Sequence, residues 1–349
     1  MSTPLVQLGT PAWPRREIPE SGPMEDGFGR RIEYLRISVT DKCNLRCVYC
    51  MPEEGLPWLR REELLSYEEI AAIVSAMAPM GLRKLRITGG EPLVRKDLPR
   101  LVRMLAAIPG IEDIALSTNA VLLEESAAEL RDAGVQRLNI SLDSLKPDRI
   151  DAISRRPGSA ERVLRGLAAA EKAGFSPIKI NCVVMRGRND DEVEDFAAIT
   201  RDRPWHIRFI EVMPTGENLP VSADEFVPAD EVLGRIGRIE ELQPVAGPHG
   251  NGPARYFAFP GARGTIGVIT PMSHNYCEKC NRMRLTADGQ LRPCLFGAIQ
   301  TNLRDAIRTG APIEPLVRET LRIKPERHWL AQGSAEGSGG LLALSQVGG

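Results

Sequence analysis

The chain has 349 residues, 42% of them hydrophobic, and a formal net charge of −1 from 45 Lys and Arg against 46 Asp and Glu. That length suits one large α/β domain plus a smaller appendage, and the near-balanced charge offers no global field for nucleic acid or an anionic membrane. No run approaches the roughly 18 apolar residues of a membrane span, and crowded cysteines fit a reducing cytoplasm and metal binding better than disulfides.

Residues 1–30 are rich in Pro, Gly and charge, lack the apolar stretch of a secretory signal, and are expected to form a mobile arm. After them strand and helix patterns alternate. Strands are predicted at 33–40, 84–88, 113–118, 137–142, 178–184 and 206–212. Helices are predicted at 67–79, 98–108, 124–133, 161–173 and 192–201. Gly81, Gly110, Gly134 and Gly174 stand where those helices should stop. Such βα units predict a parallel sheet with right-handed crossovers. Six strands are too few for a closed eight-stranded barrel.

Alternate residues of a strand face opposite sides. One parity is apolar throughout: Leu35, Ile37 and Val39, then Leu85 and Ile87, Ile114 and Leu116, Leu138 and Ile140, Ile178 and Ile180. The other carries Tyr34, Arg36 and Ser38, then Lys84 and Arg86, Asp113 and Ser117, Arg137, Asn139, Ser141 and Asp143, and finally Lys179 and Asn181. Parallel strands covered on both faces read as continuous apolar runs. The polar parity therefore predicts an open, partial (β/α)6 TIM-like barrel whose concave side holds a charged ligand, rather than a two-layer sheet with one wet face. Arg208 and Met213 have opposite parity, so a bulge or strand end is expected between them. Cys182 falls on the apolar parity and reads as a buried structural thiol.

Three of the seven cysteines lie within eight residues, Cys43, Cys47 and Cys50. A closed zinc site or a fully ligated cubane takes four protein ligands. Three thiolates predict an iron–sulfur cluster with one iron open. Thr88-Gly89-Gly90-Glu91-Pro92 follows the second strand at its carboxyl end, where barrel active sites collect. Its glycines let backbone approach a ligand closely. From Pro214 the βα rhythm stops. Cys277, Cys280 and Cys294 follow, with His274 three residues before the first. By spacing, a zinc site of one His and three Cys and a second open cluster stand equally open. Arg282 and Arg284 share one side of an extended segment and suit phosphate or a purine edge.

The first cysteine spacing, with Tyr49 just before the last cysteine, resembles the signature of the radical S-adenosylmethionine (SAM) enzymes, in which the open iron chelates the SAM methionine. The Gly-Gly-Glu-Pro turn resembles that family's SAM-cradling motif. Both cysteine motifs, the Ile207–Met213 run, the arginine pair and the terminal Gly348-Gly349 narrow the resemblance to the GTP 3′,8-cyclase family of molybdenum cofactor biosynthesis. It runs from about residue 30 to the last. It implies a lyase-class reaction that cyclises GTP, with SAM and two [4Fe–4S] clusters, the second of them holding the guanine. It divides the chain into a radical SAM barrel (31–213), a C-terminal domain with the second cluster (214–330) and a flexible tail (331–349) that reaches the active site.

Residue by residue, the resemblance implies cluster ligands Cys43, Cys47 and Cys50, and Cys277, Cys280 and Cys294. It implies SAM contacts from Tyr49, Gly90, Ser141 and Met213. For GTP it implies Arg36, Arg86, Ser117, Lys179, Arg282, Met283 and Arg284, with Arg208 beside them. It also implies an electron donor, transfer of product to cyclic pyranopterin monophosphate synthase, and room for a homodimer, in the cytoplasm, with no nucleic acid or membrane partner. Two features depart from the family. Ser117-Thr118-Asn119-Ala120 stands for Thr-Thr-Asn-Gly, so the hydroxyl stays but left-handed backbone at Ala120 is disfavoured. Leu344 and Val347 stand for Met and Ile. The rival readings are a peptide-modifying radical SAM enzyme with an auxiliary cluster, and an electron carrier or zinc-stapled module. The basic inner face counts against the first; the glycine turn and βα array are surplus to the second.

Overall fold

The computed structural model describes residues 16–213, 222–248, 252–328 and 343–348. Six strands, β1 (Tyr34–Ser38), β2 (Lys84–Thr88), β3 (Asp113–Thr118), β4 (Arg137–Ser141), β5 (Ile178–Val184) and β6 (Trp205–Glu211), run parallel and neighbour one another in chain order. Helices α1 (Tyr67–Met77), α2 (Leu98–Ala106), α3 (Leu123–Ala133), α4 (Pro147–Ser154), α5 (Ser159–Lys172) and α6 (Val193–Asp202) fill the crossovers. Ser66 starts α1 by a capping box: its hydroxyl accepts from the Glu69 amide, and the Glu69 carboxylate accepts from the Ser66 amide at 2.7 Å. The partial-barrel expectation holds. Helix α4 is an addition to the helices expected from the sequence pattern.

The apolar parity forms the interface with the helices. Leu35, Ile37, Leu85, Ile87, Leu116, Leu138, Ile140 and Ile180 are fully buried. Each contributes about 1.5–3 kcal/mol by removal from water. Cys182 is buried on the same side, as expected. Strand β6 ends at Glu211, which accounts for the opposite parities of Arg208 and Met213.

The chain beyond residue 213 adds to both edges of this sheet. Strands β7 (Gln243–Val245), β8 (Arg255–Ala258) and β9 (Thr265–Ile269) follow helix α7 (Ala229–Ile236), and β9 pairs parallel with β6. Strands β10 (Arg282–Leu285), β11 (Gln290–Arg292) and β12 (Thr301–Asn302) extend the other edge, with β10 parallel to β1. Helices α8 (Arg304–Thr309) and α9 (Glu314–Arg322) follow. The C-terminal region is thus continuous with the barrel through one twelve-stranded sheet.

Residues 16–30, expected as part of a mobile arm, are instead docked. Met24 is buried, and the buried Arg30 pairs with Asp26 at 2.6 Å. The same guanidinium donates to the carbonyls of Cys277 (2.8 Å), Glu326 (2.8 Å) and Pro325 (2.7 Å). Burial and these bonds fix the segment, which composition alone could not indicate. The rest of the expected arm lies outside the described residues, as do 331–342 and Gly349 of the expected tail.

Candidate active site

One cavity of about 270 Å³ opens on the polar face of β1–β6 and β10 and is lined by all six cysteines of the two motifs. Strand register sorts its groups into levels. Tyr34 lies opposite Arg282 and Lys84, Arg36 opposite Arg284 and Arg86, and Ser38 opposite Thr88. Cys280 stands two residues before Arg282, so the second trio enters below this stack. Cys43 to Cys50 follow β1 and sit above it. The arginines lie between.

The upper loop is held by backbone. Cys50 donates its amide to the Cys47 carbonyl at 2.9 Å, and Arg46 and Val48 donate theirs to the end of α4. The two glycines of the Gly-Gly-Glu-Pro turn have a reason the sequence did not give. A Cβ on Gly89 would lie 2.6 Å from the Thr40 carbonyl oxygen, and one on Gly90 2.5 Å from that of Asp41. The Gly90 and Glu91 amides donate to the Thr40 and Lys42 carbonyls at 2.7 and 2.8 Å. The glycines therefore admit the cysteine loop itself against the turn. Glu91 is buried and accepts from the Thr118 hydroxyl and the Asn119 amide, both at 2.7 Å. Burial pushes its carboxyl up to about 7 against those bonds. This carboxyl ties the ends of β2 and β3 together beside the loop.

Ala120 is a correction. It adopts φ 62°, the left-handed conformation its side chain disfavours. Its amide donates to the Thr118 hydroxyl at 3.0 Å, and a Cβ on facing Gly166 would clash with the Ala120 carbonyl. The turn's hydrogen bonds and packing outweigh the residue's own preference.

Tyr49 donates its hydroxyl to Asp143 at 2.8 Å. Asp143 also accepts from the Val183 amide, and burial lifts its carboxyl to about 6. Burial raises the Cys43 thiol to about 11 and the Cys50 thiol to about 12. A metal must displace those protons. The lower trio differs. Burial also opposes ionisation of Cys280, but Lys324 and Arg282 outweigh it and bring the thiol down to about 7. The buried Lys324 ammonium reaches the Cys280 sulfur at 3.5 Å, the Arg282 carbonyl at 3.1 Å and the Pro293 carbonyl at 2.6 Å. His274 turns away to Asp230 (2.8 Å), half exposed, and does not line the cavity. The one-His, three-Cys zinc option therefore loses its histidine. Among the described residues, no three His, Cys, Asp or Glu side chains close on a single-ion site; each trio instead borders the open cavity.

The inner face is strongly basic. Arg208 donates to Asn139 at 2.7 Å, and burial lowers its guanidinium to about 10. Arg284 is likewise lowered to about 10 by burial and by Arg282. It donates to the carbonyls of Val347 (3.1 Å) and Gly348. Helix α10 (Leu344–Val347) thus packs into the site, and its Ser345 amide donates to Cys50. Lys179, behind Arg86 and Arg208, is pushed down to about 6 by burial and then by Arg208, Arg137 and Arg86. Nε of Arg86, Arg208 and Arg282, Oγ of Ser117 and Oδ1 of Asn181 are buried without a hydrogen-bond partner among the described residues. Such orphans mark a site shaped for a polar ligand.

Of the expected site residues, Arg36, Tyr49, Arg86, Gly90, Ser117, Ser141, Arg208, Met213, Arg282 and Arg284 line this cavity with the cysteines. Met283 does not; alternation within β10 turns its side chain into the core, where it is 1% exposed. Lys179 is packed behind the lining. Tyr34, Asp143, Asn181 and Tyr276 also line the cavity beyond the expected site residues, and strand parity places the first three on its face.

Comparison with known proteins agrees with this geometry. The Radical SAM superfamily matches residues 37–199 and Molybdenum Cofactor Synthesis C matches 205–330. GTP 3′,8-cyclase of Moorella thermoacetica is 47% identical over 93% of this chain and 100% of its own length. GTP 3′,8-cyclase of Geobacter sulfurreducens is 50% identical over 93% of this chain and 99% of its own. Among solved structures, Streptococcus suis SuiB bound to S-adenosylmethionine superposes with TM-score 0.58 at 13% identity, covering 82% of this chain and 68% of that one, a likeness of fold alone. With near-complete coverage by such relatives and two cysteine trios on one basic cavity, the chain belongs to the GTP 3′,8-cyclase family of radical SAM enzymes.

Proposed function

We propose that this chain converts GTP into (8S)-3′,8-cyclo-7,8-dihydroguanosine 5′-triphosphate, the first step of molybdenum cofactor biosynthesis. The observation that carries the reading is the pair of three-cysteine trios at opposite ends of one arginine-lined cavity. The donor set fits two [4Fe–4S] clusters, one on Cys43, Cys47 and Cys50 and one on Cys277, Cys280 and Cys294, each with an iron left for a ligand. When bound, a cluster on Cys43, Cys47 and Cys50 would supply the electron for reductive cleavage of SAM, and one on Cys277, Cys280 and Cys294 would offer an open iron to the purine.

The protein's own part is binding, orientation and exclusion of water. Tyr49, Gly90, Ser141 and Met213 border the upper end, where SAM would lie. Arg36, Arg86, Arg208, Arg282 and Arg284, with Lys179 behind, would neutralise a triphosphate by charge-assisted hydrogen bonds. Met283 contributes through its backbone at most, since its side chain is in the core. Helix α10 lies beside Cys50 at the upper end, where its buried residues would exclude water from a bound SAM. Guanine placement at the second trio, an external electron donor, hand-over of product to cyclic pyranopterin monophosphate synthase, and a cytoplasmic setting belong to the same proposal. Among the described residues no helix is long and apolar enough to cross a membrane.

Anaerobic reconstitution tests the reading. Two clusters give about eight irons per chain, with SAM cleavage under dithionite and GTP loss that requires both. Bound zinc in place of the second cluster, or SAM cleavage with no GTP turnover, would overturn it.

A further inference from the structure

We propose that Tyr34 is a substrate-binding residue, its hydroxyl donating a hydrogen bond to a phosphate oxygen of the nucleotide while its ring spaces two of the arginines around that phosphate. The proposal rests on the nucleotide reading above and adds a group to it.

Tyr34 opens β1, is 4% exposed and lines the cavity. Its hydroxyl is buried and has no hydrogen-bond partner among the described residues. A buried phenol ordinarily finds one. The Arg86 guanidinium lies 5.6 Å from the ring centroid and that of Arg282 5.9 Å, within cation–π range. Register sets Tyr34 between Arg282 and Lys84, with Arg36 next along the same face. The carboxylate on that level, Asp113, is tied to Arg137 at 3.0 Å. Burial alone would raise the phenol; Arg86, Arg36 and Arg282 override it and hold it below the ordinary value. The surroundings therefore favour negative charge where the hydroxyl ends. A ring that only spaced guanidiniums could be phenylalanine. The hydroxyl has a use when an anion enters: one phosphate oxygen accepts its hydrogen bond while its charge neutralises the flanking cations.

The test is Tyr34→Phe in the reconstituted enzyme, which keeps the ring and removes the oxygen. Calorimetry with GTP, guanosine and inorganic tripolyphosphate is compared with wild type. The expected result is affinity about tenfold lower for GTP and tripolyphosphate, the effect of one hydrogen bond to a charged acceptor. Guanosine affinity and iron content should be unchanged, and KM should rise while kcat at saturation holds. Equal GTP affinity in the two proteins overturns the proposal. A loss for GTP and guanosine without one for tripolyphosphate also overturns it, by placing the hydroxyl at the base. A wild-type enzyme that binds no GTP would instead overturn the nucleotide reading itself.

Discussion

Lys179 offers the most quantitative check on the basic cavity. Burial and the repulsion of Arg208, Arg137 and Arg86 bring its ammonium down to about 6. At pH 7.5 such a group is only about 3% protonated. A triphosphate among these cations reverses the repulsion and returns Lys179 toward the ordinary ~10.4. Binding then takes up about one proton per nucleotide at pH 7.5. The sign follows: because the bound state holds the extra proton, affinity falls as pH rises, by about tenfold per unit above pH 6, until the bound-state value is reached. Lys179→Met removes the titrating group, so the variant should show a flatter pH dependence. Calorimetry in two buffers of different ionisation enthalpy reads the proton count directly. The γ-phosphate of GTP titrates in both proteins and cancels in the difference. If wild type and Lys179→Met take up the same number of protons, the electrostatic account of the cavity is wrong.

Gly90→Ala should push the Cys43–Cys50 loop off the turn, because its Cβ meets the Asp41 and Lys42 carbonyls. Iron should fall from about eight to about four per chain, with the second cluster's spectrum retained; full iron would show that the loop can yield. Arg30→Met leaves Asp26 buried without its partner and frees the Cys277 carbonyl. Loss of a buried partner costs about 3–5 kcal/mol, read as a lower denaturation midpoint in urea, and a change below about 1 kcal/mol would refute the docking of this segment. Lys324→Met should lower iron retention at the second trio and leave the first intact, since the ammonium bridges Cys280 to the residue before Cys294. Unaltered iron content and an unaltered reduction potential would assign Lys324 a packing role only.

Much of the site is legible in the sequence. Strand alternation put Arg36, Arg86, Ser117, Ser141 and Lys179 on one face because side-chain direction in a strand is a local property. Spacing alone grouped Cys43 with Cys47 and Cys50, and Cys277 with Cys280. What could not be read were contacts between segments distant in sequence. Arg30 bonds the Cys277 carbonyl across 247 positions, and Lys324 reaches Cys280 across 44. Ala120 shows the same limit in the other direction. Its local preference is against the left-handed turn, yet hydrogen bonds from Thr118 and Asn119 to Glu91, 27 and 28 positions away, hold the turn together.

By itself the sequence determined the βα order, the polar inner face and the two sets of thiols, since each follows from local geometry and residue chemistry. Only the tertiary structure decided that β10 would pair with β1. That pairing aligns Arg284, Arg36 and Arg86 on one level and sets the two trios at opposite ends of one cavity. Strand pairing is chosen by the burial of both partners' apolar faces, here Leu35 and Ile37 with Met283 and Leu285, and that choice is made by the whole core at once.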